Sequence, residues 1–231
     1  MNKRYDIVLM DADETIFDFK KAEKRSFQKS LEDFGYVYTD EKLRLYSEIN
    51  LSCWKALERG ELSRERLTSL RFERFFEAAG EKVPDCERFH DSYIHHLAES
   101  SYLLDGAYEF LEKLHRYVKI YIATNGLTIA QTGRFSRSTI KPFIDGLFIS
   151  EEIGYQKPTR EYFDYIFRAL QVEDRSRVIM LGDSLTSDMQ GGRNAKITTC
   201  RYLGDHPHED SDLVDYEIRD YDDFFNILFE N

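Results

Sequence analysis

Five short apolar runs rich in Val, Ile and Tyr, at 7–10, 118–123, 147–150, 178–181 and 198–203, limit this chain to few architectures. Runs of this length without strict alternation read as strands buried on both faces. The stretches between the later runs are short and helical, so right-handed crossovers and a mainly parallel sheet are expected. The fold class expected is therefore α/β, with a Rossmann-like open sheet as its core.

Between the first run and the second lie about a hundred residues, where a single crossover needs only about ten to twelve. Helical patterns fill this interval at 20–34, 40–59, 63–79 and 84–99. Gly35, Gly60 and Gly80 stand where three of these helices should end, and Asp40 and Ser63 are candidate N-caps. Four helices on short turns should pack as a bundle. A further helix at 106–116 should lead back to the sheet. The expected organisation is a core of residues 1–17 and 101–231 interrupted by a helical insert, 18–100. A length of 231 residues suits one core domain carrying such an insertion.

Composition excludes several roles. With 43 acidic and 32 basic side chains the formal charge is -11, which disfavours a nucleic-acid polymer as partner. No run approaches the ~18 apolar residues of a membrane span. The apolar stretch before Asp11 is too short for a signal peptide, so a cytoplasmic location is expected. Cys53, Cys86 and Cys200 are scattered and odd in number, and read as buried or incidental thiols.

The chemistry lies at the ends of the apolar runs. The first ends in Asp11-Ala12-Asp13, the second in Thr124-Asn125-Gly126 and the fourth in Gly182-Asp183-Ser184, with Asp188 five residues after Asp183. Lys157 precedes Pro158, a residue that can open a helix. Singly these are a solvated turn, an ordinary turn and a surface charge. Together they occupy the carboxyl edge of a parallel sheet, where ligands bind. Carboxylates about 4 Å apart repel by about 4 kcal/mol at an effective dielectric of ~20, so a cation is expected among them. Oxygen-only donors favour a hard ion, and few carboxylates beside a substrate phosphate suit Mg²⁺. One carboxylate could then attack phosphorus while a second serves as general acid and base.

These motifs resemble the haloacid dehalogenase superfamily, in the branch with a helical cap after the first motif. The likeness spans the chain: DADET, the bundle, TNG, the lysine before Pro158, and GDSLTSD. It implies Asp11 as nucleophile and Asp13 as acid/base, the latter also offering its backbone carbonyl to Mg²⁺. It further implies that Thr124 and the Asn125 backbone hold phosphoryl oxygens beside Lys157, with Gly126 in the same loop. Asp183 would complete the metal shell, and Asp188 would orient a metal-bound water or bind directly. Dehalogenase members lack the second aspartate of the first motif, so Asp13 favours a phosphatase.

The segment Asp11 to Phe17, Asn50 with Trp54, Gly60-Glu61-Leu62 and Arg71-Phe72 resemble the noncanonical pyrimidine nucleotidase subfamily. That likeness implies removal of the 5′-phosphate from a pyrimidine nucleoside monophosphate, a small-molecule substrate; a monomer or homodimer is expected. Trp54 could stack on the base while Asn50 reads its edge, since they lie four apart on one helical face; alternatively both belong to the bundle interior. Arg71 either meets phosphate or ribose or forms a salt bridge within the insert. Alternatives are a sugar-phosphate or other small-metabolite phosphatase, a phosphomutase, a metal-independent dehalogenase and a non-catalytic nucleotide-binding module. His95-His96 point apart on a helix and do not form a joint metal site. Phe72, Phe75, Phe76 and the aromatics of 162–167 read as core, and 205–215, with His206 and His208, as a solvated loop.

Overall fold

The structure, a computed structural model, describes residues 3–204 and 207–229. Strand β1 (Ile7–Met10) is followed by four helices, α1 (Phe19–Asp33), α2 (Asp40–Glu58), α3 (Arg64–Ala78) and α4 (Cys86–Ala98). Helix α5 (Ala107–Leu114) then leads to β2 (Lys119–Thr124), α6 (Thr128–Arg137), β3 (Gly146–Ile149), α7 (Ser150–Ile153) and α8 (Arg160–Ala169). After β4 (Val178–Gly182) come a π-helical turn (Leu185–Met189), α9 (Gln190–Ala195), β5 (Thr198–Tyr202), β6 (Tyr216–Ile218) and α10 (Tyr221–Leu228). No helix among the described residues is long and apolar enough to cross a membrane.

The six strands are parallel, in the order β3-β2-β1-β4-β5-β6. All five expected strands are present within a residue or two of their expected ends. The sixth, β6, pairs only with β5 at the sheet edge and follows an acidic stretch, so no apolar run marks it. The part of that stretch containing Asp205 and His206 lies outside the described residues. His208 bonds to Asp210 and Glu217 at the surface.

The connections from β1 run outward to β2 and β3, then cross back to β4 on the other side of β1. This reversal opens a crevice where the carboxyl ends of β1 and β4 lie side by side. Alternation of side chains along the strands divides the apolar residues between two faces. Val8, Met10, Ile120 and Ile122 pack on Phe110 of α5 and Phe224 of α10, while Leu9, Ala123 and Met180 pack on Tyr162, Phe163 and Ile166 of α8. Tyr165, expected in this core, instead stands 42% exposed, because its position turns away from the apolar stripe of α8. The three cysteines are free and buried.

Local chemistry sets the ends of the insert helices. Side chains of Asp18, Thr39, Ser63 and Asp85 accept from the backbone N–H groups of Lys21, Lys42, Arg66 and Arg88. Thr39, rather than the expected Asp40, thus caps α2; Asp40 is the first helical residue. Gly35, Gly60 and Gly80 end their helices with φ of 77°, 72° and 67°, a region costly for residues with a Cβ. The bundle interior is aromatic: Phe27 stacks on Tyr46 at 4.5 Å and Tyr46 on Phe72 at 5.4 Å.

Helix α4 of the insert also packs on α6 of the sheet domain, and the contact is close at Gly133. A Cβ there would lie 2.6 Å from Ala98 Cβ and 2.8 Å from its carbonyl oxygen. Gly133→Ala should therefore destabilise the protein by about 1–3 kcal/mol despite the better helix propensity of alanine, read as a lower urea midpoint at unchanged m-value.

Candidate active site

Asp11 directly follows β1, and its N–H continues the ladder by donating to Leu181 O at 2.9 Å. Asp183 follows β4, and Asp188 lies on the π-helical turn, where its Oδ2 accepts from Ser184 N at 3.1 Å. One carboxylate oxygen from each of Asp11, Asp183 and Asp188 falls within 4.8 Å of the other two. Gly182 makes room for this arrangement, since a Cβ at that position would lie 2.7 Å from Asp188 Cβ. Lys157 is 1% exposed, and its Nζ donates to Asp11 Oδ1 at 2.5 Å and Asp188 Oδ1 at 2.6 Å.

The lysine is aimed by its backbone. Lys157 N donates to Asn125 Oδ1 and Asn125 Nδ2 donates to Lys157 O, both at 2.9 Å, so the end of β2 clamps the lysine loop. The Lys157-Pro158 bond is cis, and Thr159 stands at the N-cap of α8. Pro158 does not open that helix, contrary to the expectation from sequence, because it precedes the N-cap Thr159 and the first helical position is Arg160.

Thr124 is buried, and its Oγ1 accepts from Gly126 N at 3.0 Å and Gln131 Nε2 at 3.2 Å. Gly126 has no space for a Cβ because the Gln131 side chain fills it. Asp13 is not one of the three clustered carboxylates, although it lines the same cavity. Its Oδ2 accepts from Gln131 Nε2 at 2.9 Å, and its Oδ1 pairs with Arg134. Its carboxylate is therefore outside the cluster. Arg134 is fully buried, donates from Nε to Ser100 O at 3.2 Å and lies over the Phe17 ring. Sequence reasoning missed Gln131 and Arg134. The available signal was their spacing of three on the helix after Thr124-Asn125-Gly126, which puts both on one face.

Electrostatics set this crevice apart. Burial pushes the Asp11 carboxyl up to about 7; Lys157 opposes the rise, while Asp188 and Asp13 add to it. Burial also pushes Asp183 well above the usual carboxylate range, reinforced by Asp188 and Asp11. Burial alone would lower Lys157, but Asp11 and Asp188 outweigh it and raise its pKa. Three carboxylates share one ammonium where water is scarce, an arrangement that is costly without further positive charge. The oxygen-only donor set fits a hard divalent cation.

Above the crevice lies a cavity of about 250 Å³, near the lower end of the ~300–1,000 Å³ usual for small-molecule sites. Phe19, Leu51, Trp54, Ile94 and Leu97 of the insert line it, with Arg71 and Glu58 as its charged wall. Trp54 also packs against the small apolar cluster around Cys53 and Leu57. Asn50 does not line the cavity. It is 3% exposed, with Nδ2 donating to Glu23 Oε1 at 3.0 Å and Oδ1 accepting from Arg71 Nη1 at 3.0 Å. Arg71 forms no salt bridge among the described residues; its other partner is His90 Nδ1, at 3.1 Å from Nη2. His95 and His96 face separate acids, Glu99 and Asp33.

The insert is tied to the crevice by residues not singled out from sequence. Arg64 donates from Nη1 to Asn125 O at 3.0 Å and from Nη2 to Ser150 Oγ at 2.8 Å and Gln156 Oε1 at 3.1 Å. Gln156 Nε2 reaches Leu57 O at 2.9 Å, and Thr186 Oγ1 donates to Glu58 Oε2 at 2.8 Å.

Residues 8–202 match the haloacid dehalogenase-like hydrolase family. The chain is 33% identical to the pyrimidine 5′-nucleotidase PynA of Streptococcus pneumoniae over 98% of this chain and 96% of that one. It is 33% identical to the pyrimidine 5′-nucleotidase YjjG of Escherichia coli over 89% of each. The magnesium-bound crystal structure of Bacillus subtilis YfnB, in which interdomain movement is described, superposes with a TM-score of 0.92 at 33% identity, covering 98% of this chain and 99% of that one. In its motifs, its strand order and its full-length similarities, the chain belongs to the haloacid dehalogenase-like hydrolases.

Proposed function

We propose that the protein is a Mg²⁺-dependent phosphatase that removes the 5′-phosphate from pyrimidine nucleoside monophosphates through a phosphorylated Asp11. The observation that carries the chemistry is the cluster of Asp11, Asp183 and Asp188 around one buried ammonium, that of Lys157, at the β1/β4 crevice. The pyrimidine nucleotide is supported by the full-length similarity to two nucleotidases and by the apolar roof containing Trp54.

Asp11, Asp183 and Asp188, with the Asp13 carbonyl, would hold the cation, whose charge offsets that of the incoming phosphate. Lys157 orients Asp11 and meets the phosphoryl group, whose oxygens also lie against the Thr124 hydroxyl and the Asn125 backbone N–H. The Asp11 carboxylate attacks phosphorus as the bond to the nucleoside 5′-oxygen breaks. Asp13 delivers a proton to that oxygen. Water then attacks the phosphorus of the aspartyl-phosphate, with Asp13 taking its proton, and Asp11 and inorganic phosphate are released. Both Asp13 oxygens accept hydrogen bonds in the structure, from Arg134 and Gln131, so the proton Asp13 carries sits on an oxygen that already has a donor beside it. In this reading residues 18–100 act as a cap that excludes water and shapes the pocket for the leaving group.

Asp11→Asn is expected to lower phosphate release from uridine 5′-monophosphate by about 10³-fold or more while circular dichroism stays native; substantial remaining Mg²⁺-dependent turnover would reject the nucleophile. A panel of pyrimidine and purine nucleotides, sugar phosphates and aryl phosphates decides the substrate class. Trp54→Ala should raise KM for the nucleotide more than for a small aryl phosphate, and equal effects would assign Trp54 to packing alone. In thermal melts, Mg²⁺ should raise Tm of the wild type but not of Asp183→Asn. Without metal that variant should melt above the wild type, because one of three crowded carboxylates is gone.

A further inference from the structure

We propose that Arg71 is the specificity-determining residue of the cavity, donating hydrogen bonds to a neutral oxygen acceptor on the body of the substrate, away from the phosphate. It is aimed by a polar chain that draws residues from all four insert helices. The inference rests on the phosphatase reading only for what occupies the crevice below.

The chain begins on α1 with Glu23, whose Oε2 accepts from Ser47 Oγ at 2.5 Å and whose Oε1 accepts from Asn50 Nδ2 at 3.0 Å. Asn50, on α2, accepts in turn from Arg71 Nη1 on α3, and Arg71 Nη2 lies 3.1 Å from His90 Nδ1 on α4. The guanidinium carbon sits 4.7 Å from the Phe72 ring centroid and 5.1 Å from that of Tyr93, which fixes its plane. Arg71 is 2% exposed and lines the cavity, yet its Nε–H has no acceptor among the described residues.

A buried guanidinium without a directly paired carboxylate and with an unmatched N–H is costly. An apolar side chain would fill the same space in the bundle without that cost, so packing does not explain arginine here. An acceptor on a bound ligand would satisfy the donor. The sign of the ligand group follows from the rest of the chain. Glu23 already places a carboxylate in the same network, so a neutral oxygen suits the site better than a second anion. A ring carbonyl has this chemistry and the flatness to lie in an apolar slot; the second phosphate of a bisphosphate does not.

The test compares two substrates and a ligand that cannot react. For uridine 5′-monophosphate, Arg71→Met should lower kcat/KM by about 10²-fold or more, mostly through KM. For phenyl phosphate, which has a ring but no acceptor on it, the loss should be at least tenfold smaller. Arg71→Lys should fall between and serves if the Met variant does not fold. Asn50→Leu, which removes a positioning residue, should raise KM for uridine 5′-monophosphate with a much smaller change in kcat. Calorimetric titration of uridine, without phosphate, should give a Kd at least tenfold weaker in Arg71→Met or Arg71→Lys than in the wild type. Equal losses on both substrates, or wild-type protein that does not bind uridine, would overturn the assignment. If uridine binding depends on Arg71 but no phosphomonoester is turned over, the proposed function fails and the Arg71 site stands.

Discussion

The ammonium of Lys157 is the interaction on which the rest of the crevice depends. Its hydrogen bonds to Asp11 and Asp188 bring together carboxylates from opposite ends of the sequence and make their burial tolerable. A surface ion pair of this kind would contribute little, about 0–1 kcal/mol. In this buried setting, loss of the cation would leave unpaired charge, which typically costs about 3–5 kcal/mol. The neighbouring features serve its placement: the two hydrogen bonds between Asn125 and the Lys157 backbone, the glycine that admits Asp188, and the strand order that sets β1 beside β4.

Above this charged floor the helical insert is built on different principles. Its interior is held by aromatic stacking around Tyr46 and Phe72, and a polar chain runs through that interior from Glu23 to His90. Burying so many donors and acceptors within a small bundle is a liability for stability unless each is matched. All but a few are, and the Arg71 Nε–H that is not lies in a residue lining the cavity.

Much of this was legible in the sequence because strands buried on both faces are continuous apolar runs, and polar residues at their carboxyl ends stand out against them. The insert was legible from glycines and caps spaced at helix length. What escaped notice followed from tertiary context. Strand β6 has one partner and little apolar character. Gln131, Arg134 and Arg64 lie on helices where arginine and glutamine are ordinary surface residues, and only the fold shows that they meet Asp13 and the Asn125 carbonyl. Asn50 stands four residues from Trp54, but spacing along one helix does not reveal that its amide is already bonded to residues of two others.

Arg64 has an energetic corollary. Its guanidinium grips the main-chain oxygen of Asn125, the residue whose side chain fixes Lys157, and the side chain of Gln156 beside that lysine, so insert and lysine loop meet in one hydrogen-bonded unit. Two equilibria that share such a unit are thermodynamically linked, and linkage is reciprocal. If docking of the helices stiffens the loop and improves its hold on an anion, anion binding must favour docking by an equal free energy, so occupancy and enclosure reinforce one another without any separate trigger.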